Sequence, residues 1–265
     1  MKKTIVKPLI LIINLMLLSP LLWAQTNEER GLAIFREADL RDQGFSDLTA
    51  DMMMILKNKH GQESVREMRI KTLEVEDDGD KNLFVFNNPK DVKGTAFLSF
   101  THKVSDDEQW MYLPALKRVK RISSQNKSGS FMGSEFSYED MSNPEIEKYT
   151  YKWLRNEMND GLECFVVESY PVDKENSGYT RMISWIDKSE YRLFKVEFYD
   201  RKKSHLKTMT ISGYNKYAGK HWRADDLNIV NHQNGKSTKV KFSNYTFMTG
   251  LVDNDFTKNS LSRIK

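Results

Sequence analysis

The sequence has a single cysteine, Cys164, which rules out an internal disulfide framework and any multi-cysteine metal site. Charge of one sign is also missing. The 41 Lys and Arg oppose 37 Asp and Glu, and Lys2, Lys3 and Lys7 all precede an apolar run; without those three the balance is 38 against 37. A near-neutral chain lacks the clustered cationic excess that a phosphate backbone demands, so nucleic acid is excluded as the main partner. The five histidines, His60, His102, His205, His221 and His232, show no ligand spacing such as HxxxH and read as solvated or strand-edge residues. No metal and no cofactor is expected. Gly129 and Gly133 lack the following Lys and Ser/Thr of a phosphate-cradling loop. In Gly129-Ser130-Phe131-Met132-Gly133 the serine is displaced from the centre of a nucleophile elbow. Glu139-Asp140 and Asp106-Asp107-Glu108 are adjacent, and adjacency on a strand sends neighbours to opposite faces. Cys164 falls in the alternating run 162–170, the setting of a buried strand cysteine rather than a nucleophile. The expectation is a protein that is not an enzyme.

A second long apolar run is absent as well. The first consists of Pro8 to Leu18, after the basic start and before Ser19-Pro20 and Leu21-Leu22-Trp23-Ala24. This is the order of a secretory signal peptide, too short for the roughly 20 residues that span a bilayer. Residues 1–24 are read as a signal peptide cleaved near Ala24, residues 25–265 as one domain, and the mature protein as periplasmic. With no cysteine at the cleavage site, a lipid anchor is not expected.

What is present is β texture. Thr26 to Asp42 reads as one amphipathic helix, capped by Thr26, with Leu32, Ile34, Phe35, Ala38 and Leu40 near helical spacing and Gly44 ending it. After Asp47 the chain breaks into short β-branched and aromatic runs. The expected strands are 48–57, 64–76, 83–87, 95–102, 108–113, 149–157, 162–170, 180–187, 193–200, 207–214, 222–232 and 239–247. Asn159-Asp160-Gly161 and Asn234-Gly235 are hairpin turns. With no later helix to carry crossovers, the default is a mainly β, antiparallel meander of about 10–12 strands. Such a sheet curls, and it closes or is plugged. An inner face rich in aromatics and poor in aliphatics predicts a cavity, covered by the helix and by the loop 117–144, which carries a turn or two of helix around 138–141. The alternative is a solid two-sheet sandwich.

One segment stands out. Trp110-Met111-Tyr112-Leu113-Pro114 ends a strand, four cations (Lys117, Arg118, Lys120, Arg121) surround Val119, and a glycine-flexed loop then presents Phe131, Met132 and Phe136. The pattern W-x-Y-L-P-A-L-K-R-V-K-R-I, followed by S-F-M-G-S-x-F-S-Y-E-D-M, resembles the LolA-like outer-membrane lipoprotein-sorting protein family, in its longer, exporter-associated branch. The resemblance is specific over 110–141, and leader, strand count and length extend it to the whole mature chain. It implies a half-open antiparallel β-barrel with helical covers, whose apolar cavity carries acyl chains or another lipid, in partnership with an inner-membrane exporter of the resistance-nodulation-division type.

On this reading Met52, Met54, Trp110, Tyr112, Phe131, Met132 and Phe136 are candidate lipid-binding or gating residues. Met52 and Met54 share one strand face while Met53 and Ile55 take the other. Lys117, Arg118, Lys120 and Arg121 are candidates for contact with headgroups or a partner. The protein is expected to be a monomer. Two other readings stand beside the carrier: a solid adaptor or structural subunit of an exporter, and a hydrolase whose acid/base pair is assembled from distant strands.

Overall fold

Period-two alternation along the chain, read out in a computed structural model that describes residues 25–262, lays down one antiparallel sheet. The expected leader, 1–24, lies outside the described residues. The helix α1 (Asn27–Asp42) begins with a capping box in which Thr26 and Glu29 exchange side-chain and backbone bonds, and it stops before Gly44. Strands β1 (Asp47–Lys57), β2 (Glu63–Leu73), β3 (Lys81–Asn88), β4 (Ala96–Phe100), β5 (Glu108–Leu113) and β6 (Arg118–Ile122) run out from the sheet centre to one edge. The chain then crosses to the opposite edge and returns through β7 (Tyr149–Asn159), β8 (Leu162–Pro171), β9 (Tyr179–Asp187), β10 (Leu193–Asp200), β11 (His205–Tyr217), β12 (His221–Asn231) and β13 (Ser237–Phe247), which pairs with β1. A short helix, α2 (Lys258–Leu261), follows. β6 and β7 do not pair, so the barrel is half open and segment 123–148 is the covalent link between its two free edges.

β6 corrects the expectation that 117–144 is all loop. Pro114–Leu116 forms a 3-10 turn, Lys117 adopts a left-handed φ of 46°, and Arg118–Ile122 returns antiparallel to β5. The cations Arg118, Lys120 and Arg121 suit an edge strand, where charge discourages pairing with foreign strands. The short helical turn expected near 138–141 is present as a 3-10 turn, Glu139–Met141.

Strands β3 to β5 are buried on both faces. Phe84, Phe86, Phe97 and Met111 point into the lumen with Met52, Met54, Met68 and Phe131, while Leu83, Ala96, Leu98 and Trp110 face outward under Phe256 and Leu261 of the C-terminal segment. This explains the near-continuous apolar run of β3, since a strand covered on both sides needs no polar face. On the other side, α1 packs Ile34 and Phe35 against Tyr151, Phe165, Val167 and Ile186 of β7 to β9. The approach is close: a Cβ on Gly31 would lie 2.7 Å from the Trp153 amide nitrogen, so only glycine lets the helix sit on β7.

Candidate functional site

The lumen contains two apolar-walled cavities. The first, about 500 Å³, lies beneath the C-terminal half of α1 and is walled by Leu48, Met52, Phe84, Ile211, Tyr214 and Phe242. The second, about 520 Å³, extends toward the gap between β6 and β7 and is walled by Tyr149, Ser169, Met182, Ser184, Phe198 and Met209. Both volumes fall within the range of small-molecule sites. Phe136, Asp140, Ser142 and Asn143 of the linking segment 123–148 border both cavities, so this inner segment stands between them.

That segment is held in place as an internal occupant. Ser130 and Ser137 form an isolated bridge, the Phe131 amide donates to the Phe136 carbonyl at 2.7 Å, and the Ser134 hydroxyl donates to the Phe131 carbonyl at 2.7 Å. Serine hydroxyls thus satisfy backbone groups that would otherwise be buried unpaired. Phe131 is fully buried among Phe84, Phe86, Phe97 and Tyr138, with ring centroids 5.2–6.4 Å apart. Deeper in, the Lys207 ammonium of β11 donates to the Asp140 carboxylate at 2.6 Å and to the Glu135 carbonyl at 2.8 Å, while the Tyr179 hydroxyl donates to Asp140 at 2.8 Å. Lys207 is 3 % exposed. A buried ammonium is tolerated only where a carboxylate and further acceptors answer it. Glu139 accepts from the Ser177 hydroxyl and the Gly178 amide, yet burial still pushes its carboxyl above the usual range.

Two carboxyls near the boundary of the cavities are shifted further. Burial, with Glu74 and Asp42 nearby, pushes Asp80 up to about 7, and Asn143 of the inner segment donates to it at 2.6 Å. Burial and the neighbouring Asp80 and Asp39 likewise push Glu145 up to about 7. Neutral carboxyls are cheaper to keep beside an apolar cavity than ionised ones. Cys164 is buried in β8 and burial pushes its thiol up to about 11, the condition of an unreactive strand cysteine.

The residues singled out in the sequence separate into three groups. Met52 and Phe136 line the first cavity, and Phe136 the second as well; Met54 and Phe131 lie in the packed cluster beside them, with Met132 partly buried against it. Trp110 and Tyr112 do not join them. Alternation on β5 gives Met111 to the lumen and sends Trp110 and Tyr112 to the outer face, where they pack with Leu83, Leu98 and Phe256. The expected role of these two at the lumen is corrected by the parity of a strand that is buried on both sides. Lys117, Arg118, Lys120 and Arg121 lie exposed along the β5–β6 turn and the β6 edge, Arg121 within 3.6 Å of Glu108. Sequence reasoning missed Lys207, Tyr179 and the inward serines Ser169 and Ser184. A lone lysine in an alternating run gives no sign of burial: alternation puts Lys207, Met209 and Ile211 on one face, but which face meets the lumen is visible only in the fold.

Comparison with known proteins agrees with this geometry. A family model described as "Uncharacterized protein" matches residues 78–263. No curated protein matches the sequence. Among solved structures, an outer membrane lipoprotein-sorting protein domain from Vibrio parahaemolyticus is 55% identical with a TM-score of 0.88, covering 89% of this chain and 100% of its own. A DUF1329 family protein from Desulfovibrio piger is 27% identical with a TM-score of 0.84, covering 89% of this chain and 99% of its own. A LolA superfamily protein from Nitrosomonas europaea, at 19% identity, shares the fold with a TM-score of 0.70, covering 87% of this chain and 98% of its own. From the half-open sheet, its helical cover and this degree of identity, the chain belongs to the outer membrane lipoprotein-sorting protein domain family, with a LolA-like fold.

Proposed function

We propose that this protein is a periplasmic carrier that holds acyl chains, of a lipid or of a lipoprotein, in the barrel lumen. It acts as a monomer of one domain, residues 25–265, freed of a signal peptide over 1–24, and works with an inner-membrane exporter of the resistance-nodulation-division type rather than as a catalyst. The observation that carries the reading is the second cavity, walled by aromatic, methionine and small serine side chains and reaching toward the free edges of the sheet. Each methylene sheltered there contributes about 0.8 kcal/mol, and thioether and aromatic walls adapt to varied chains without a tight fit that would slow release. Met52, Met54, Phe131, Met132 and Phe136 form the lumen wall and its plug. Lys117, Arg118, Lys120 and Arg121 supply the outward contact with headgroups or exporter.

The test is native mass spectrometry of the purified protein for bound lipid, together with uptake of a hydrophobic fluorophore that the extracted lipid displaces. Protein that carries no lipid and takes up no fluorophore would overturn the proposal. The dense packing of Phe131 among its neighbours favours a second reading, a solid exporter adaptor. Exporter co-purification that is lost in Arg118→Glu/Arg121→Glu, with no lipid signal, would favour it.

A further inference from the structure

An antiparallel meander places alternate turns on opposite rims, so charge can be counted by rim. One rim carries turns 58–62, 89–95, 114–117, 172–178, 201–204 and 232–236; the other carries 74–80, 101–107, 160–161, 188–192 and 218–220. The first holds nine Lys and Arg against three Asp and Glu, the second four against nine. All nine basic residues of the first rim are exposed, and none of them pairs with a carboxylate among the described residues. Acids of the second rim are in part answered, Asp78 by His102 and Asp107 by Lys148. A chain with little net charge is therefore strongly polarised from end to end. On the basic rim, two apolar side chains project among the cations: Leu116, 67 % exposed, and Val172, 59 % exposed.

We infer that the basic rim docks on a bilayer surface that contains anionic lipid. Eight of its nine cations are lysines, spread over six turns, and the one arginine, Arg201, is occupied with the carbonyls of Glu175, Asn176 and Ser177. Interfaces with proteins favour arginine and aromatic residues and are depleted in lysine, whereas a fluid anionic surface rewards dispersed, flexible cations. Lysine stems can lie along the apolar boundary with their ammonium groups among the headgroups, while Leu116 and Val172 enter it. Arg118 and Lys120 continue the positive field from this rim along the free edge of β6, toward the opening of the second cavity at Ile122 and Ser123. The inference goes beyond the carrier reading: it assigns the end of the barrel that meets the membrane, and it does not require the lumen to be loaded.

The experiment is flotation of the full mature chain with phosphatidylcholine vesicles, with and without phosphatidylglycerol, at low and high salt. Binding is expected only to the anionic vesicles, with loss at high salt. Each cation near the surface contributes about fivefold, so Lys90→Glu/Lys93→Glu/Lys202→Glu/Lys236→Glu should weaken partition by at least roughly a hundredfold. Leu116→Ser should weaken it a few-fold, and Glu76→Lys on the opposite rim should not weaken it. All these positions are exposed turn residues, and circular dichroism confirms that each variant is folded. Fluorophore uptake, measured on the same samples, reports the carrier reading separately: uptake lost with vesicle binding intact strikes that reading alone. No binding to anionic vesicles, equal binding to neutral ones, or wild-type binding by the quadruple variant would overturn the inference. So would exporter capture that disappears on rim reversal in the absence of any vesicle binding.

Discussion

On the β1 to β5 side of the lumen, inward positions carry Met52, Met54, Met68, Phe84, Phe86 and Phe97, and the inner segment adds Phe131, which fills the space among Phe84, Phe86 and Phe97, while Met52 and Phe84 also wall the first cavity. On the β8 to β11 side, the inward positions include Ser169 and Ser184, both nearly fully buried, beside Met182, Val196 and Met209, and a cavity of about 520 Å³ persists. Strand geometry and topology are the same on the two sides. Around the second cavity, small side chains occupy inward positions of two adjacent strands, and around Phe131 the filled side shows that aromatics pack densely when a loop is supplied to complete them. The segment 123–148 divides the barrel into these two regimes because it must run from one free edge to the other.

The comparison is broken most severely at Phe131. Removing its ring leaves a void that neighbouring rings cannot collapse to fill, so Phe131→Ala should cost about 3–5 kcal/mol in urea unfolding. Phe131→Asp should abolish folding, since it adds an unpaired charge to the void. If instead Phe131→Asp folds with a near-wild-type melting temperature and loses only lipid transfer, the segment is a gate and the filled side is not core.

Ser184 sharpens the comparison from the hollow side. Enlarging an inward residue in a packed core forces strain, but the space beside Ser184 accepts a ring. Ser184→Phe should therefore change stability by less than about 1.5 kcal/mol while reducing fluorophore uptake at least roughly tenfold. A variant that takes up the dye as well as the wild type would place the ligand in the first cavity, under α1.

Most of the frame was legible in the chain. Alternation fixed twelve of the strands, two hairpin turns were given by Asn-Gly and Asp-Gly, and the helix was announced by Thr26, Glu29 and its apolar spacing. The strand missed was β6, where alternation runs for only five residues and the cations obscured it. Few aliphatics predict a cavity, and two are present, but the rings around Phe131 pack densely while Ser169 and Ser184 border open space, because hollowness depends on which positions face inward and not on average residue content. Trp110 and Tyr112 went to the wrong face for a related reason: a strand apolar on both faces gives no signal of which one meets the lumen. Lys207 and Asp140, 67 positions apart, could not be paired without the register of β11 against β12 and the path of the inner segment.

The smallest effect concerns the boundary between the two sides, where Asp80 lies against the inner segment and Glu145 is part of it. Both carboxyls titrate near pH 7 in the folded protein and in the ordinary carboxylate range when unfolded. Between those values the native state binds more protons than the unfolded chain, so the stabilising contribution is complete below about pH 4 and is lost as pH rises through 7. The melting temperature attributable to this pair should decline over that window, and Asp80→Asn should flatten the decline and raise stability at neutral pH. The asparagine keeps a carbonyl acceptor for Asn143, so a change in slope reports the proton and not the lost bond. If the slope is the same in Asp80→Asn and the wild type, Asp80 is ionised in the folded state and water reaches this boundary, which would make the two cavities one wetted lumen.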